Sequence, residues 1–122
     1  MFLVDRRSTK ALNEQIKDSI RYQIIHGLLL PDERLPSVRE VAQANAINPN
    51  TIQKAYHDLE IEGVLYSQAG RGSFVTGAVE ELREKRKKSI IETVKPLLLE
   101  LRQLGMDEEE LHMVLKGGTE ND

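Results

Sequence analysis

The stretch INPNTIQKAYHDLEIEG, residues 47 to 63, carries two stripes at helical spacing. Ile52, Ala55, Tyr56 and Leu59 recur every three to four residues and predict a buried face. Asn50, Gln53, Lys54 and His57 form an opposite stripe that is polar and short-armed. Asn48 is a good N-cap, because its side-chain oxygen can accept an amide that the first turn leaves orphaned. Pro49 suits the first helical position, since it has no amide to orphan there. Thr51 sits in the first turn, and Gly63 marks the end. The stretch predicts a helix that buries one side and offers the other to something polar.

Outward from it, LPSVREVAQAN (residues 35 to 45) predicts a short helix of about two turns. Pro36 can open it, Val38, Val41 and Ala42 give an inward face, and Ser37 and Arg39 lie near its N-terminus. Only Asn45, Ala46 and Ile47 separate the two helices, which is the length of a tight helix-turn-helix turn. Farther upstream, residues 10 to 28 place Leu12, Ile16, Ile20, Ile24 and Leu28 four apart, with Ile25 widening the stripe. This is a first amphipathic helix, ended by Gly27 and the loop from Leu30 to Glu33. Downstream, VLYSQAGRGSFVTG changes period. It reads as a two-stranded hairpin with Ala69-Gly70-Arg71-Gly72 at its turn. Three helices followed by a hairpin is the winged helix-turn-helix order, with the third helix in the major groove and the wing against the duplex. Tyr56 and Phe74 both fall on apolar faces and are expected in the core.

Beyond Gly77 the composition shifts. Residues 79 to 104 are strongly helical, with the charge run Arg83 to Lys88 and then Ile90, Val94, Leu97, Leu101 and Leu104 at intervals of four and three. Acidic and basic residues four apart make the charge run a solvated helix face. Pro96 removes a backbone hydrogen bond and is expected to kink or divide this helix. After Gly105, Asp107 and Glu110 form a capping-box pattern that opens a last helix. Leu111, Val114 and Leu115 are expected to face inward, Gly117 and Gly118 to stop the helix, and Thr119 to Asp122 to fray. Ile91, Leu98 and Leu99 add apolar surface on other faces, so a second copy of the chain is the simplest cover. The fold class is mainly α: a winged helix-turn-helix domain with a β-wing at residues 1–77, followed by a two-helix dimerisation region at residues 78–122.

The chain has 122 residues, no cysteine and a net charge of −3. Disulfides and thiolate metal sites are excluded, and a reducing compartment fits. The start, MFLVDRRS, has a very short apolar run followed by charge, unlike an export signal. No segment approaches the roughly 20 apolar residues that span a bilayer, so a cytoplasmic protein without membrane contact is expected. Three scattered histidines offer no ligand spacing, and neither a metal nor a cofactor is expected. Residues 1 to 77 carry equal numbers of acids and bases, nine of each. A neutral domain that binds DNA must do so with a few well-placed cations, doubled by dimerisation.

The segments Leu35-Pro36-Ser37-x-Arg39, Asn50-Thr51, Leu59-Glu60-x-x-Gly63 and Gly70-x-Gly72-x-Phe74-Val75 agree in order and spacing with the DNA-binding half of the GntR family of bacterial transcription regulators. The resemblance covers residues 10 to 76, and the short tail is similar to that of the YtrA-type branch. It implies a dimeric regulator, most often a repressor, that binds a pseudo-palindromic operator. Two positions depart from the family pattern: Asp32 and Ala46 stand where relatives often have glycine. Because alanine resists positive φ, Asn45 is expected to take that conformation or the turn to differ.

The contact candidates follow from the stripe, the wing and the resemblance. Asn50 and Gln53 have the amide geometry that bonds adenine, while Lys54 and Thr51 suit phosphates. Asn48 and His57 border the same stripe. Ser37, with its helix N-terminus, is a natural phosphate contact. The resemblance implies that Arg39 points to the bases; otherwise it is an exposed arginine pairing Glu40 or Asp58. Gly70 and Gly72 let the backbone approach a duplex, and Arg71 suits a narrow minor groove. The dimerisation candidates are Ile90, Ile91, Val94, Leu97, Leu98, Leu101 and Leu104. A small-molecule effector of unknown identity would act through the junctions at Pro96 and Gly105. Of the other classes, an enzyme lacks clustered acid, base or nucleophile candidates. A protein-interaction adaptor remains the alternative, since winged helices also dock proteins.

Overall fold

A computed structural model describes residues 4 to 120, so Met1 to Leu3, Asn121 and Asp122 lie outside the described residues. The elements run α1 (Leu12–Ile25), α2 (Val38–Asn45), α3 (Pro49–Ile61), β1 (Leu65–Gln68), β2 (Gly72–Val75), α4 (Val79–Gln103) and α5 (Glu108–Glu120). This is the mainly helical winged helix-turn-helix order that the periodicity predicts. The chain divides into two compact units between Arg83 and Glu84. The first turn of α4 belongs with the helices before it. Val79 is buried, Leu82 packs on the same core, and Arg83 Nε donates to the Ile25 carbonyl at 2.9 Å.

In the first unit, Ile16, Ile20 and Ile24 of α1 meet Val41 and Ala42 of α2, and Ile52, Ala55, Tyr56 and Leu59 of α3. Leu65 and Val75, paired across the antiparallel β1-β2 hairpin, close one end of this core. Leu28, expected on the α1 stripe, is 64% exposed. The helix has already ended at Ile25, Gly27 turns at φ +76°, and Leu29 enters the core instead. Phe74 is likewise only half-buried. Side chains alternate along a strand, so Val75 takes the inward place and Phe74 stacks on Tyr66 with centroids 5.4 Å apart. Lys17 is the charged exception inside, 8% exposed. Its ammonium reaches Glu14 at 2.8 Å and Asp58 at 3.1 Å, tying α1 to α3. The hydrogen bond from Lys17 holds the Asp58 carboxyl below its ordinary value.

The helix-turn-helix turn is tight because Ala46, not Asn45, turns left-handed, at φ 52° and ψ 47°. Asn45 stays helical, its Nδ2 donating to the Val41 carbonyl at 3.0 Å. The turn must reverse at once to bring Ile47 into the core, where it is buried. Arg6 holds it from outside, Nη2 donating at 2.7 Å to the carbonyls of both Asn45 and Ala46. A left-handed alanine costs about 1–2 kcal/mol. Replacing Ala46 by glycine relieves that strain and adds some chain entropy to the unfolded state. Ala46→Gly is expected to stabilise the first unit by about 0.5–1 kcal/mol, a rise of about 2–8 °C in a thermal melt.

In the second unit α4 runs unbroken through Pro96, which does not divide it. Pro96 and Glu92 are both exposed, so the carbonyl that loses its amide lies on the side open to water. Gly105, at φ +99°, ends the segment, with Met106 N donating to the Leu101 carbonyl at 3.0 Å. Asp107 Oδ1 accepts from the Glu110 amide at 2.8 Å and starts α5. That helix does not stop at the two glycines but continues to Glu120; Gly117 keeps a negative φ, so nothing reverses the chain there. The half-buried apolar stripe is Val94, Leu98 and Leu101, with Met106 and Leu111. Leu97, expected in that seam, is exposed, as are Ile90, Ile91, Leu104, Val114 and Leu115. Two helices within one copy cover only a narrow stripe. No helix among the described residues is long and apolar enough to cross a membrane.

Candidate nucleic-acid interface

Helix α2 begins on a complete capping box rather than at Pro36. Glu40 N donates to Ser37 Oγ at 3.1 Å, and Ser37 N donates to Glu40 Oε1 at 3.2 Å. Asn48 Oδ1 accepts from the Asn50 amide at 2.9 Å and caps α3, with Pro49 opening it. These two caps fix where the next side chains emerge. Arg39 stands exposed just inside α2, and both acids that could have neutralised it are engaged elsewhere: Glu40 in the cap, Asp58 with Lys17. On α3, Asn50, Gln53, Lys54 and His57 are exposed as a stripe, while Thr51 is half-buried. Lys54 lies 3.8 Å from Asp58, a loose pair on a largely exposed side chain.

The wing pairs Tyr66 with Phe74, Ser67 with Ser73 and Gln68 with Gly72. Its tip is closed by Arg71 N donating to the Gln68 carbonyl at 2.9 Å, with Gly70 at φ +74° and Gly72 at φ +112°. Arg71 projects from this tip and is exposed. An open groove of about 410 Å³ lies between α3, the α2 N-terminus and the wing. It brings together Ser37, Gln53, Gly70, Arg71 and Gly72. Tyr56 forms its floor: the phenol donates to the Pro36 carbonyl at 2.7 Å, and burial pushes its pKa up. Glu60 also lines the groove and accepts from the Ser67 hydroxyl.

Residues 32 to 35, where the local sequence predicts only a loop, run against β2 and bond to it without forming a strand of their own. Leu35 N donates to the Ser73 carbonyl at 2.8 Å, Val75 N to the Glu33 carbonyl at 2.9 Å, and Asp32 N to the Val75 carbonyl at 3.0 Å. Arg34 bridges Phe74 and so is brought to the groove. Only the non-local pairing puts it there, and no local pattern flags it. Asp32 enters this segment at φ 64°, and its Oδ1 accepts from the Tyr66 hydroxyl at 2.8 Å, which raises the Tyr66 pKa.

Six of the nine cations in the neutral stretch of residues 1 to 77 fall into two kinds. Lys10, Lys17 and Arg21 are bound to Asp18, Glu14, Asp58 and Glu62 along α1 and α3. Arg34, Arg39 and Arg71 have no acid within ion-pair distance among the described residues, and all three belong to the α2, α3 and wing side. A family model described as bacterial regulatory proteins, gntR family, matches residues 12–75, which span α1 to β2.

The chain belongs to the GntR family. Among curated relatives, the HTH-type transcriptional repressor YtrA of Bacillus subtilis (strain 168) is 35% identical over the full length of both chains. Among solved structures, a transcriptional regulator from Oenococcus oeni superposes with a TM-score of 0.76 at 26% identity, covering 96% of this chain and 98% of that one. AraR(DBD) in complex with operator ORE1 matches at TM-score 0.54 and 33% identity, over 62% of this chain and 93% of that chain. The two departures from the GntR pattern, Asp32 and Ala46, are the non-glycine residues with positive φ among those described, a conformation that glycine adopts without steric cost.

Proposed function

We propose that this GntR chain is a sequence-specific DNA-binding regulator, acting as a homodimer that represses by covering a promoter at a pseudo-palindromic operator. Residues 1–77 read the duplex and residues 78–122 pair the copies. The observation that carries this reading is the groove: Arg34 and Arg71 border it with Ser37 and Gln53 and have no acid within ion-pair distance among the described residues, whereas Lys10, Lys17 and Arg21 are neutralised by neighbouring acids. Asn50 and Gln53 read base edges, with Arg39 beside them. Lys54, Thr51, Ser37 and the Asn48 turn hold phosphates, His57 borders the groove edge, and Gly70-Arg71-Gly72 meets the backbone or minor groove. AraR(DBD), which shares this fold, is solved with its operator. The exposed Ile90, Ile91, Leu97 and Leu104, with the stripe of Val94, Leu98 and Leu101, support pairing with a second copy. A dimer sets two α3 helices about one turn of DNA apart. The protein works in the cytoplasm, where the duplex is, and any effector acts by changing the spacing of the two heads.

Selection of binding sites from genomic fragments, at two salt concentrations, tests this. Recovery of a two-fold symmetric site whose retention falls steeply with salt is the expected result. Retention of no fragment above background at low salt would favour a winged helix that docks protein.

A further inference from the structure

Arg34 is exposed, precedes the turn into α2, and has no part in the proposed base-reading face. Its backbone is fixed by an isolated bridge to Phe74, flanked by backbone hydrogen bonds of residues 32, 33 and 35 with Ser73 and Val75. Its side chain lies across Gly72. A Cβ placed on that glycine would stand 3.2 Å from Nε, 3.6 Å from Nη2 and 3.8 Å from Cζ of Arg34. Three atoms of the guanidinium therefore rest against the one side of Gly72 that any other residue would fill. The glycine thus has a second task beside its φ of +112°: it seats an arginine on the wing.

Nothing acidic answers that arginine. The carboxylates nearest in the chain and around its two grooves are Asp32, Glu33, Glu40 and Glu60. Asp32 accepts from Tyr66, Glu33 from the Leu30 amide, Glu40 from the Ser37 amide and Glu60 from Ser67. None lies within ion-pair distance of Arg34 among the described residues. Arg34 and Arg71 border the same groove, opposite the α3 face that carries Gln53. A guanidinium held against a backbone has little reach toward base edges, but its fork fits the oxygens of a phosphate.

We infer that Arg34 is a phosphate-binding residue, and that with Arg71 it forms a two-arginine clasp on the DNA strand beside the wing. The inference rests on the proposed DNA-reading function. It assigns Arg34 an affinity role without a sequence role, because a phosphate contact positions the duplex and carries no base information.

The test measures binding of the full chain, with Arg34→Ala and Arg34→Lys, to a selected site and to an unrelated duplex across a salt series. Arg34→Ala is expected to weaken binding to both duplexes by a similar factor, about tenfold. The slope of log affinity against log salt should become shallower by about 1 per subunit. Arg34→Lys keeps the charge but not the fork, so it should retain the wild-type slope. Unchanged affinity and slope in Arg34→Ala would overturn the clasp, as would a slope loss in Arg34→Lys equal to that of alanine. A loss confined to the selected site, with altered base preference, would overturn the phosphate role in favour of base reading. Failure of the unsubstituted chain to bind any duplex would instead overturn the DNA-reading function itself.

Discussion

With Arg39→Ala and Gln53→Ala combined, affinity for the selected operator is expected to fall at least about 30-fold, since each bidentate base contact discriminates by about 1–3 kcal/mol. Both side chains are exposed, and neither has a hydrogen-bond partner that the fold needs. The far-ultraviolet circular dichroism spectrum and the melting temperature should therefore stay at the unsubstituted values. Unlike a change at Arg34, this one should act mainly on the operator and little on unrelated duplex, because it removes base reading rather than phosphate binding. Fluorescence anisotropy titration with operator and with scrambled duplex separates the two. Equal affinity of the double variant and the parent would show that the contacting face lies elsewhere.

Leu59→Ala carries the other large expected effect. Leu59 is fully buried where α3 packs on α1 and leads into β1. Deleting its side chain removes the transfer free energy and leaves a cavity that a close-packed core fills only in part, costing about 2–5 kcal/mol. For a domain of this size that is a large share of the whole stability, and the melt of the first unit should fall by at least about 10 °C. Ile61→Ala, two residues on, is the control: Ile61 is 73% exposed, and its loss should change stability by less than about 0.5 kcal/mol. Equal effects from the two variants would mean that the buried face of α3 lies elsewhere on the helix.

The two faces of α3 are legible in the sequence alone, because burial repeats with the helix period and the caps Asn48 and Ser37 act within four residues of themselves. The wing turn is legible from Gly70 and Gly72. Arg39, Gln53 and Arg71 stand out through the same local signals and through the GntR resemblance. Arg34 does not, since it becomes interesting only against Gly72, a residue far along the chain. Nor can the charge pattern be read from counts: a neutral domain looks unsuited to DNA until Lys17 and Arg21 are seen joined to acids on α3.

Where the sequence misleads, the cause is a constraint from outside the local window. Alanine is intrinsically reluctant to turn left-handed, yet burial of Ile47 and the Arg6 clamp impose that turn on Ala46. Leu28 continues a perfect spacing after the helix beneath it has stopped. Pro96 and Gly117 have breaking propensities that their helices override, as tertiary context commonly does. By itself the sequence determined the order of elements, the inward face of each helix in the first unit and the sites of the turns, all of which depend on periodicity and capping over a few residues. Only the tertiary structure decided which arginines are left without a counter-ion, that the segment around Arg34 bridges to the wing, and which leucines of α4 stay in water. Those depend on residues distant in the chain meeting in space, and pairing at a distance leaves no period to read.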